Sequence, residues 1–247
     1  YITMDPSYEA AVLRVFARLV EQGIVYRQLK PVHWSIENRT ALADAELEYH
    51  DRDDLSVYVA LELAAGAEQV PHGPGEKVYL LIWTTTPWTL PANLAVAAHP
   101  DLEYVAVPAR TPAGTATLLL AAGRLEAASE ALAAGGWTLS GEVLGRMSGR
   151  EMIDAGLEYL HPLREGRPCP VVPADYVTLD EGTGLVHTAP GHGLEDYGTA
   201  LKCGLEVYCP VRDDGTYDET VLPALRGLSV WDANARVVEL LAEAREQ

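Results

Sequence analysis

Short strand-like segments fill the middle of the chain and constrain its fold more than any other feature. Residues 55–63 (LSVYVALEL) alternate apolar and polar side chains, and residues 77–85 (KVYLLIWTT) form a nearly continuous apolar run. Further strand-like segments lie at 103–109 and 116–122, separated by turn residues. Helix-forming stretches are inserted between them, and one of these, residues 123–136, ends at two glycines. The pattern predicts a mixed α+β domain with a barrel-like sheet and inserted helices.

A helix and a short ribbon are predicted before this region. Asp5 and Pro6 are typical of a helix start, and apolar residues recur at helical spacing up to Gly23. After the ribbon the sequence changes to a series of strand-like segments. This change predicts a boundary between a joining segment, residues 1–50, and the main domain, residues 51–247. Since the sequence begins without methionine, we expect it to be part of a longer chain.

Hydroxyl side chains gather where an apolar run meets a proline, in the segment WTTTPWTLPAN. Pro87 cannot continue a central strand, so the chain is expected to turn there. A threonine hydroxyl both donates and accepts, which suits it to hold a water or an ester oxygen. Threonine is also common in strands for purely structural reasons. We nevertheless expect the hydroxyls of the threonines at this turn to converge on a pocket: Thr84, Thr85, Thr86 and Thr89.

A second motif, DEGTGLVHTAPGHGLEDY, occupies residues 180–197. Gly182 and Gly184 predict a hairpin turn before a short strand, and a glycine-rich loop then leads into a helix. His187 at the strand end and Asp196 in the first turn of the helix can point at one cavity. A carboxylate only accepts hydrogen bonds, so Asp196 suits an ammonium group. The alternatives are a structural histidine and a carboxylate that stabilises the helix start.

Metal-dependent and covalent chemistry are disfavoured. His187, His192 and Asp196 are acceptable zinc ligands, but glycines and a proline separate them irregularly. The three cysteines form no C-x-x-C pair, and no G-x-S-x-G elbow is present. We therefore predict neither a metal nor another cofactor.

The charge balance limits the possible partners. A formal net charge of −18 makes the chain a poor binder of nucleic acid by itself, so any RNA must be held mainly by other parts of a larger protein. No apolar run is long enough for a bilayer, and no secretory signal pattern is present, so we expect no membrane partner and a cytoplasmic location.

The two long motifs together resemble the editing insertion of isoleucyl-tRNA synthetases, especially the bacterial type. The related valyl and leucyl enzymes usually have Thr-Thr-Arg at the position of the threonine run. The resemblance implies a second active site that hydrolyses valine wrongly joined to the isoleucine tRNA. It also implies that Asp196 binds the α-ammonium and that His187 lies beside the amino acid and the terminal ribose. The remaining substrate-binding residues that it implies are Trp83, Thr84, Trp88, Thr89 and Asn93.

Our hypothesis for the mechanism is catalysis by a water molecule, with Thr85, Thr86, His187 and Asp196 as the catalytic residues. The partners would be the 3′ end of mischarged tRNA(Ile), its valine moiety and the remaining domains of the synthetase. Hydrolysis of the adenylate before transfer is a further possibility. Two other hypotheses remain, a passive module that binds the tRNA acceptor end and the editing domain of a valyl-type enzyme. Both adenylation signatures are absent, so we expect this chain not to activate amino acids.

Two positions argue against a structural metal in the joining segment. Many relatives have cysteines where this chain has Ser35 and Asn38. Since thiolates are the usual ligands of a structural zinc, the substitutions fit the expectation that no metal is bound there.

Overall fold

The computed structural model describes residues 1–112 and 114–245, and the described chain forms two compact units, Tyr1–Lys30 and the rest from Pro31. The first unit contains the helix α1 (Pro6–Glu21). The Asp5 carboxylate caps it by accepting from the Ser7 amide at 2.8 Å, which confirms the predicted helix start. The apolar side chains of α1, such as Phe16, are exposed to solvent. The predicted boundary near residue 50 stays a prediction.

The second unit opens with the predicted ribbon, formed by β1 (Trp34–Ser35) and β2 (Thr40–Ala41). A large mixed sheet follows, with helices inserted between its strands. Its strands are β3 (Val57–Ala65), β4 (Val78–Thr84), β5 (Ala95–Ala98), β6 (Glu103–Thr111), β7 (Gly114–Ala121), β8 (Thr138–Leu139), β9 (Gly145–Ser148), β10 (Glu158–Leu160), β11 (Pro168–Pro173) and β12 (Leu185–Thr188). The helices are α2 (Leu125–Ala133), α3 (Gly149–Asp154), α4 (Leu194–Cys203) and α5 (Val230–Arg245).

The strands of the sheet follow the order β12-β5-β11-β10-β3-β4-β7-β6-β8, and β9 also pairs with β6. β11 and β5 run parallel, as do β4 and β7, and the other pairs are antiparallel. The sheet curls so that two strands far apart in this order, β7 and β12, come close to each other. The Ala121 amide at the end of β7 donates to the carbonyl oxygen of Thr183, just before β12, at 2.9 Å. The prediction of a mixed α+β, barrel-like domain with inserted helices is confirmed.

The continuous apolar run in β4 is explained by burial on both faces of the sheet. Leu80 and Ile82 belong to the main core, which also includes residues of α5. Leu81 points the other way, into a second core that includes Ala128 and Leu132 of α2. A strand covered on both faces shows no alternation of apolar and polar residues. This buried strand delivers the threonine run to a fixed place at its end.

Several elements differ from the sequence-based expectation. The predicted hairpin before β12 is wrong, because β12 pairs with β5, whose Val96 lies opposite His187. The short elements α3, β5 and β10 were not predicted, since they have too few residues to display a periodicity. The sequence DANARVVELLAEAREQ predicts a closing helix at 232–247, whereas α5 begins two residues earlier, at Val230. The last two residues of the predicted helix, Glu246 and Gln247, lie outside the described residues. No helix in the described part of the chain is both long and apolar enough to cross a membrane.

Candidate active site

The threonine run forms a hydrogen-bonded turn at the end of β4. The Thr86 amide donates to Thr84 Oγ1 at 3.1 Å, and the hydroxyl oxygens of these two residues lie 3.2 Å apart. A short 3-10 helix (Pro87–Ala92) follows, and within it the Thr89 hydroxyl donates to the Thr86 carbonyl oxygen at 2.9 Å. The hydroxyl oxygens of Thr86 and Thr89 are 3.4 Å apart. Three of the four threonines therefore bring their hydroxyls together at the turn around Pro87, and a substrate pocket lined by all four stays a prediction.

The residues of this turn differ in their access to solvent. Thr84 and Thr89 are buried, whereas Thr85 and Thr86 are exposed. Within the described part of the chain, the Thr85 hydroxyl has no hydrogen-bond partner, so it is free to contact a ligand. Trp83 lies on the other face of β4 from Thr84, with its ring next to Gly182. A role for Trp83 in substrate binding stays a prediction.

His187 joins the second motif to the threonine turn. Its Nε2 lies 2.7 Å from Thr89 Oγ1, and its Nδ1 lies 3.1 Å from Asn93 Nδ2. The pairing of β12 with β5 brings the histidine here, because β5 directly follows the 3-10 helix that carries Thr89. The structure thus places Asn93 and His187 in direct contact.

The loop after β12 brings a second histidine to the same place. The ring of His192 packs edge-on against Trp88, with 5.0 Å between the ring centroids. The backbone of Trp88 is held by two further bonds, since its amide donates to Asn234 Oδ1 at 3.0 Å and its carbonyl oxygen accepts from the Tyr217 hydroxyl. The two motifs therefore adjoin through two pairs of residues.

Asp196 stands at the far end of this loop, in the first turn of α4. Its Oδ2 accepts from the Ala189 amide at 2.8 Å, and its Oδ1 accepts from the Tyr176 hydroxyl at 3.4 Å. Partial burial raises the pKa of Asp196, although the bond from Ala189 opposes the shift. Among the described residues the carboxylate has no ion-pair partner. It is suited to receive a cation from a ligand.

Both histidines of the site are neutral near pH 7. Burial lowers the pKa of His187 to about 4, with a further contribution from His192, and burial lowers the pKa of His192 to about 4 as well. The charge of the site is therefore set by the Asp196 carboxylate. In the described part of the chain, His192 Nε2 is buried without a hydrogen-bond partner.

The possible metal ligands of the sequence do not form a cluster in the described residues. Among the described residues, no group of three His, Cys, Asp or Glu side chains is close enough together to hold a metal ion. The three cysteines are free thiols, and only Cys169 is buried.

Four residues of the site have no signal in the sequence. Tyr176 and Tyr217 donate to site atoms, Asn234 accepts from Trp88, and Tyr159 donates to Asn93 Oδ1. Each lies outside the two motifs, and Asn234 is 146 residues from its partner. Tyr159 reaches the site from β10, Asn234 from α5, and Tyr176 and Tyr217 from connecting segments.

The chain is similar to known proteins along almost its whole length. The family model for tRNA synthetases class I (I, L, M and V) matches residues 1–231. Isoleucine--tRNA ligase of Nitratidesulfovibrio vulgaris (strain DP4) is 45% identical over 245 residues, 98% of this chain. Isoleucine--tRNA ligase of Methylacidiphilum infernorum (isolate V4) is 46% identical over 247 residues, again 98% of this chain. The chain spans about a quarter (25%) of the length of each relative.

Solved structures give the same fold at low identity. The cytosolic leucyl-tRNA synthetase editing domain of P. knowlesi superposes with a TM-score of 0.57 at 12% identity, covering 78% of this chain and 95% of that domain. The corresponding editing domain of P. falciparum gives a TM-score of 0.53 at 10% identity, covering 77% and 98%. At this identity the likeness establishes the fold alone.

Proposed function

The chain belongs to the class I tRNA synthetases (I, L, M and V), and from this premise we propose that it carries an editing site that hydrolyses valyl-tRNA(Ile). The observation that carries the proposal is the Asp196 carboxylate, partly buried, bonded to the Ala189 amide and without a cation partner among the described residues. An aminoacyl ester bears a free α-ammonium, which is the cation that such a carboxylate would bind. Relatives named isoleucine--tRNA ligase and fold neighbours named editing domains support the same reading.

Asp196 would fix the position of the ester by holding its ammonium. Its two hydrogen bonds, from Ala189 and Tyr176, keep the carboxylate in one orientation. A fixed ammonium places the neighbouring ester carbonyl within a narrow range of positions, which lowers the entropy cost of the reaction.

Water would be the nucleophile, and the threonine turn would orient it. The exposed hydroxyls of Thr85 and Thr86 are available to the water and to the oxyanion that develops as it attacks the carbonyl carbon. The carbon–oxygen bond to the terminal ribose then breaks, and the proton lost by the water goes to the departing ribose oxygen. The reaction requires neither a protein nucleophile nor a metal ion.

Selectivity would come from crowding around the aliphatic side chain. A synthetic site shaped for isoleucine rejects valine by only about 1–3 kcal/mol per methylene, for which isoleucine against valine is the usual example. A second, smaller site reverses the problem, because valine enters and isoleucine clashes. Three buried side chains held by mutual bonds, Thr89, His187 and Asn93, provide rigid walls for such a site.

The partners follow from the length and the charge of the chain. Because it spans about a quarter (25%) of its relatives and carries a net charge of −18, we propose that other domains of the same synthetase hold the tRNA and present its 3′ end here. A cytoplasmic location fits such a part in tRNA charging.

Deacylation of mischarged tRNA tests the proposal. The chain should release valine from valyl-tRNA(Ile) and leave isoleucyl-tRNA(Ile) intact. Asp196→Asn keeps the shape of the side chain and the acceptor for the Ala189 amide but removes the charge. We expect a loss of about 2–5 kcal/mol of transition-state stabilisation, so kcat/KM should fall at least roughly 30-fold. Glu195→Gln, an exposed neighbour on the same helical turn, is the control and should retain activity.

Binding without hydrolysis would instead indicate a passive acceptor-end module. Release of threonine from threonyl-tRNA(Val) in preference to valine from valyl-tRNA(Ile) would indicate a valyl-type enzyme. Either result contradicts the proposal, and so does unchanged turnover in Asp196→Asn.

A further inference from the structure

A row of hydrogen bonds leads from the core to the threonine turn. Tyr159 of β10 is fully buried, and its hydroxyl donates to Asn93 Oδ1. Asn93 Nδ2 lies 3.1 Å from His187 Nδ1, and His187 Nε2 lies 2.7 Å from Thr89 Oγ1. The Thr89 hydroxyl in turn donates to the Thr86 carbonyl oxygen at 2.9 Å. Tyr159 is thereby connected to the site although it lies outside both sequence motifs.

The direction of every bond in this row is fixed by chemistry. Asn93 Nδ2 also donates to the Ala95 carbonyl oxygen at 2.9 Å, and a carbonyl oxygen can only accept. The amide nitrogen must therefore face Ala95 and the amide oxygen must face Tyr159. The second amide proton then points at His187 Nδ1, which has to be unprotonated. A neutral imidazole without a proton on Nδ1 carries it on Nε2, so His187 donates to Thr89.

We propose that Tyr159 is a positioning residue of the site, which acts through Asn93 to hold His187 in the neutral Nε2–H tautomer. In this tautomer the free lone pair of His187 faces Asn93 and cannot accept a proton from a water at the threonine turn. His187 Nε2–H then donates to the Thr89 hydroxyl oxygen, and the Thr89 hydroxyl donates its own proton to the Thr86 carbonyl oxygen. The relevance of this row to hydrolysis rests on the proposed editing function, whereas the tautomer itself does not.

The surroundings of His187 favour the neutral ring. The residue is buried, and burial is the main cause of its lowered pKa. The neighbouring titratable group that lowers this pKa further is His192, which is partly buried and neutral near pH 7. The carboxylate of Asp196, in the first turn of α4 just after the loop that carries His192, accepts hydrogen bonds from Ala189 and Tyr176. No carboxylate among the described residues is hydrogen-bonded to the imidazole, so nothing stabilises an imidazolium there.

Nitrogen NMR of the wild-type chain tests the tautomer. With histidine labelled by ¹⁵N, long-range proton–nitrogen spectra distinguish protonated from unprotonated ring nitrogens, and His187→Gln identifies the signals of His187. At pH 7 we expect a protonated Nε2 and an unprotonated Nδ1. A proton on Nδ1, or on both nitrogens, overturns the proposal, and this measurement requires no variant that alters the row.

Two variants test the control of the tautomer. Asn93→Asp replaces the donor with an acceptor, so we expect the proton of His187 to move to Nδ1. Tyr159→Phe leaves Asn93 Oδ1 without its donor, so that only the bond to the Ala95 carbonyl still orients the amide. We expect a minor population of the other tautomer and deacylation lowered roughly 5- to 20-fold, which corresponds to about 1–2 kcal/mol. Tyr104→Phe is the matched control, because Tyr104 is equally buried and donates to the Gly184 carbonyl oxygen, and it should leave the tautomer unchanged.

The results separate the two proposals. If His187 keeps its tautomer in both variants, or if Tyr159→Phe retains full deacylation, the positioning role of Tyr159 is wrong. If the tautomer responds as expected but the wild-type protein does not hydrolyse valyl-tRNA(Ile), the hydrogen-bonded row stands and the editing function fails.

Discussion

His187 Nε2 lies 2.7 Å from Thr89 Oγ1, although 98 residues separate the two in the sequence. This contact joins the two motifs into one site. Both partners are buried, so neither can exchange the bond for one to water. Its strength should therefore be visible in the stability of the protein as well as in catalysis.

Thr89→Val tests this contact, because valine has the shape of threonine without the hydroxyl. The His187 Nε2–H would lose its acceptor, and we expect the free energy of unfolding to decrease by about 1–3 kcal/mol in urea denaturation. Thr85→Val removes an exposed hydroxyl and should leave stability unchanged. Equal stability of the two variants would contradict the contact.

The size of His187 should matter for substrate selection. His187→Ala would enlarge the site on the side of Thr89, and we expect isoleucyl-tRNA(Ile) to become a substrate. The ratio of kcat/KM for valyl over isoleucyl ester should fall by at least about 10-fold, the lower end of the effect of one methylene. His72→Ala, at an exposed histidine outside the site, should preserve the ratio.

Acid should unfold the protein through its buried histidines. Burial lowers the pKa of His161 to about 3 and those of His187 and His192 to about 4, whereas unfolded histidine titrates near 6.5. Between these values the unfolded chain binds more protons, so stability is fully present above about pH 6.5 and decreases as the pH falls toward 4. The free energy of unfolding lost through His187 alone, as the pH falls from about 6.5 to about 4, should approach about 3 kcal/mol.

Denaturation measured at a series of pH values checks this dependence. His192→Gln should reduce the slope between pH 4 and pH 6.5, because it removes one of the groups that take up protons on unfolding. A slope identical to that of the wild type would show that His192 is already protonated in the folded protein.

The loop that carries His192 depends on a close approach of two backbones. A Cβ added at Gly191 would lie 2.2 Å from the Tyr208 carbonyl oxygen, whereas one added at Gly198 in α4 meets open space. We expect Gly191→Ala to lower both stability, by about 1–3 kcal/mol, and deacylation. Gly198→Ala should instead raise stability by up to about 1 kcal/mol, because alanine favours the helix. Thermal unfolding of both variants compares them directly.

Removal of metal ions should have no effect. Prolonged dialysis against a chelator should leave valyl-tRNA deacylation unchanged, since the proposed mechanism uses water, threonine hydroxyls and a carboxylate. A loss of activity that zinc restores would revive the metal hypothesis for His187, His192 and Asp196.

Local patterns were sufficient for most of the fold. The cap at Asp5, the buried run of β4 and the start of α4 were predicted because each depends on neighbouring residues alone. The pairing of β12 with β5 was missed, since the glycines before β12 suggested a hairpin. Strand partners are chosen by long-range packing, which a local turn signal does not report.

Some residues of the site could be predicted from local sequence patterns, and others could not. The threonines around Pro87 and the motif around His187 carry recognisable local patterns, and the structure brings them together. Tyr159, Tyr176 and Asn234 carry no such pattern, because a single tyrosine or asparagine is common in any chain. Their contribution arises only from positions fixed by β10, the segment after β11, and α5.

The bond from the Trp88 amide to Asn234 means that the site can be completed only after α5 has been synthesised. A ribosome that makes this chain releases the threonine turn and β12 well before it reaches α5, and domains fold as their segments emerge. Until residue 234 has emerged, the turn lacks the acceptor that anchors Trp88. A protein proposed to proofread the substrates of translation would thus acquire that ability only late in the translation of this segment.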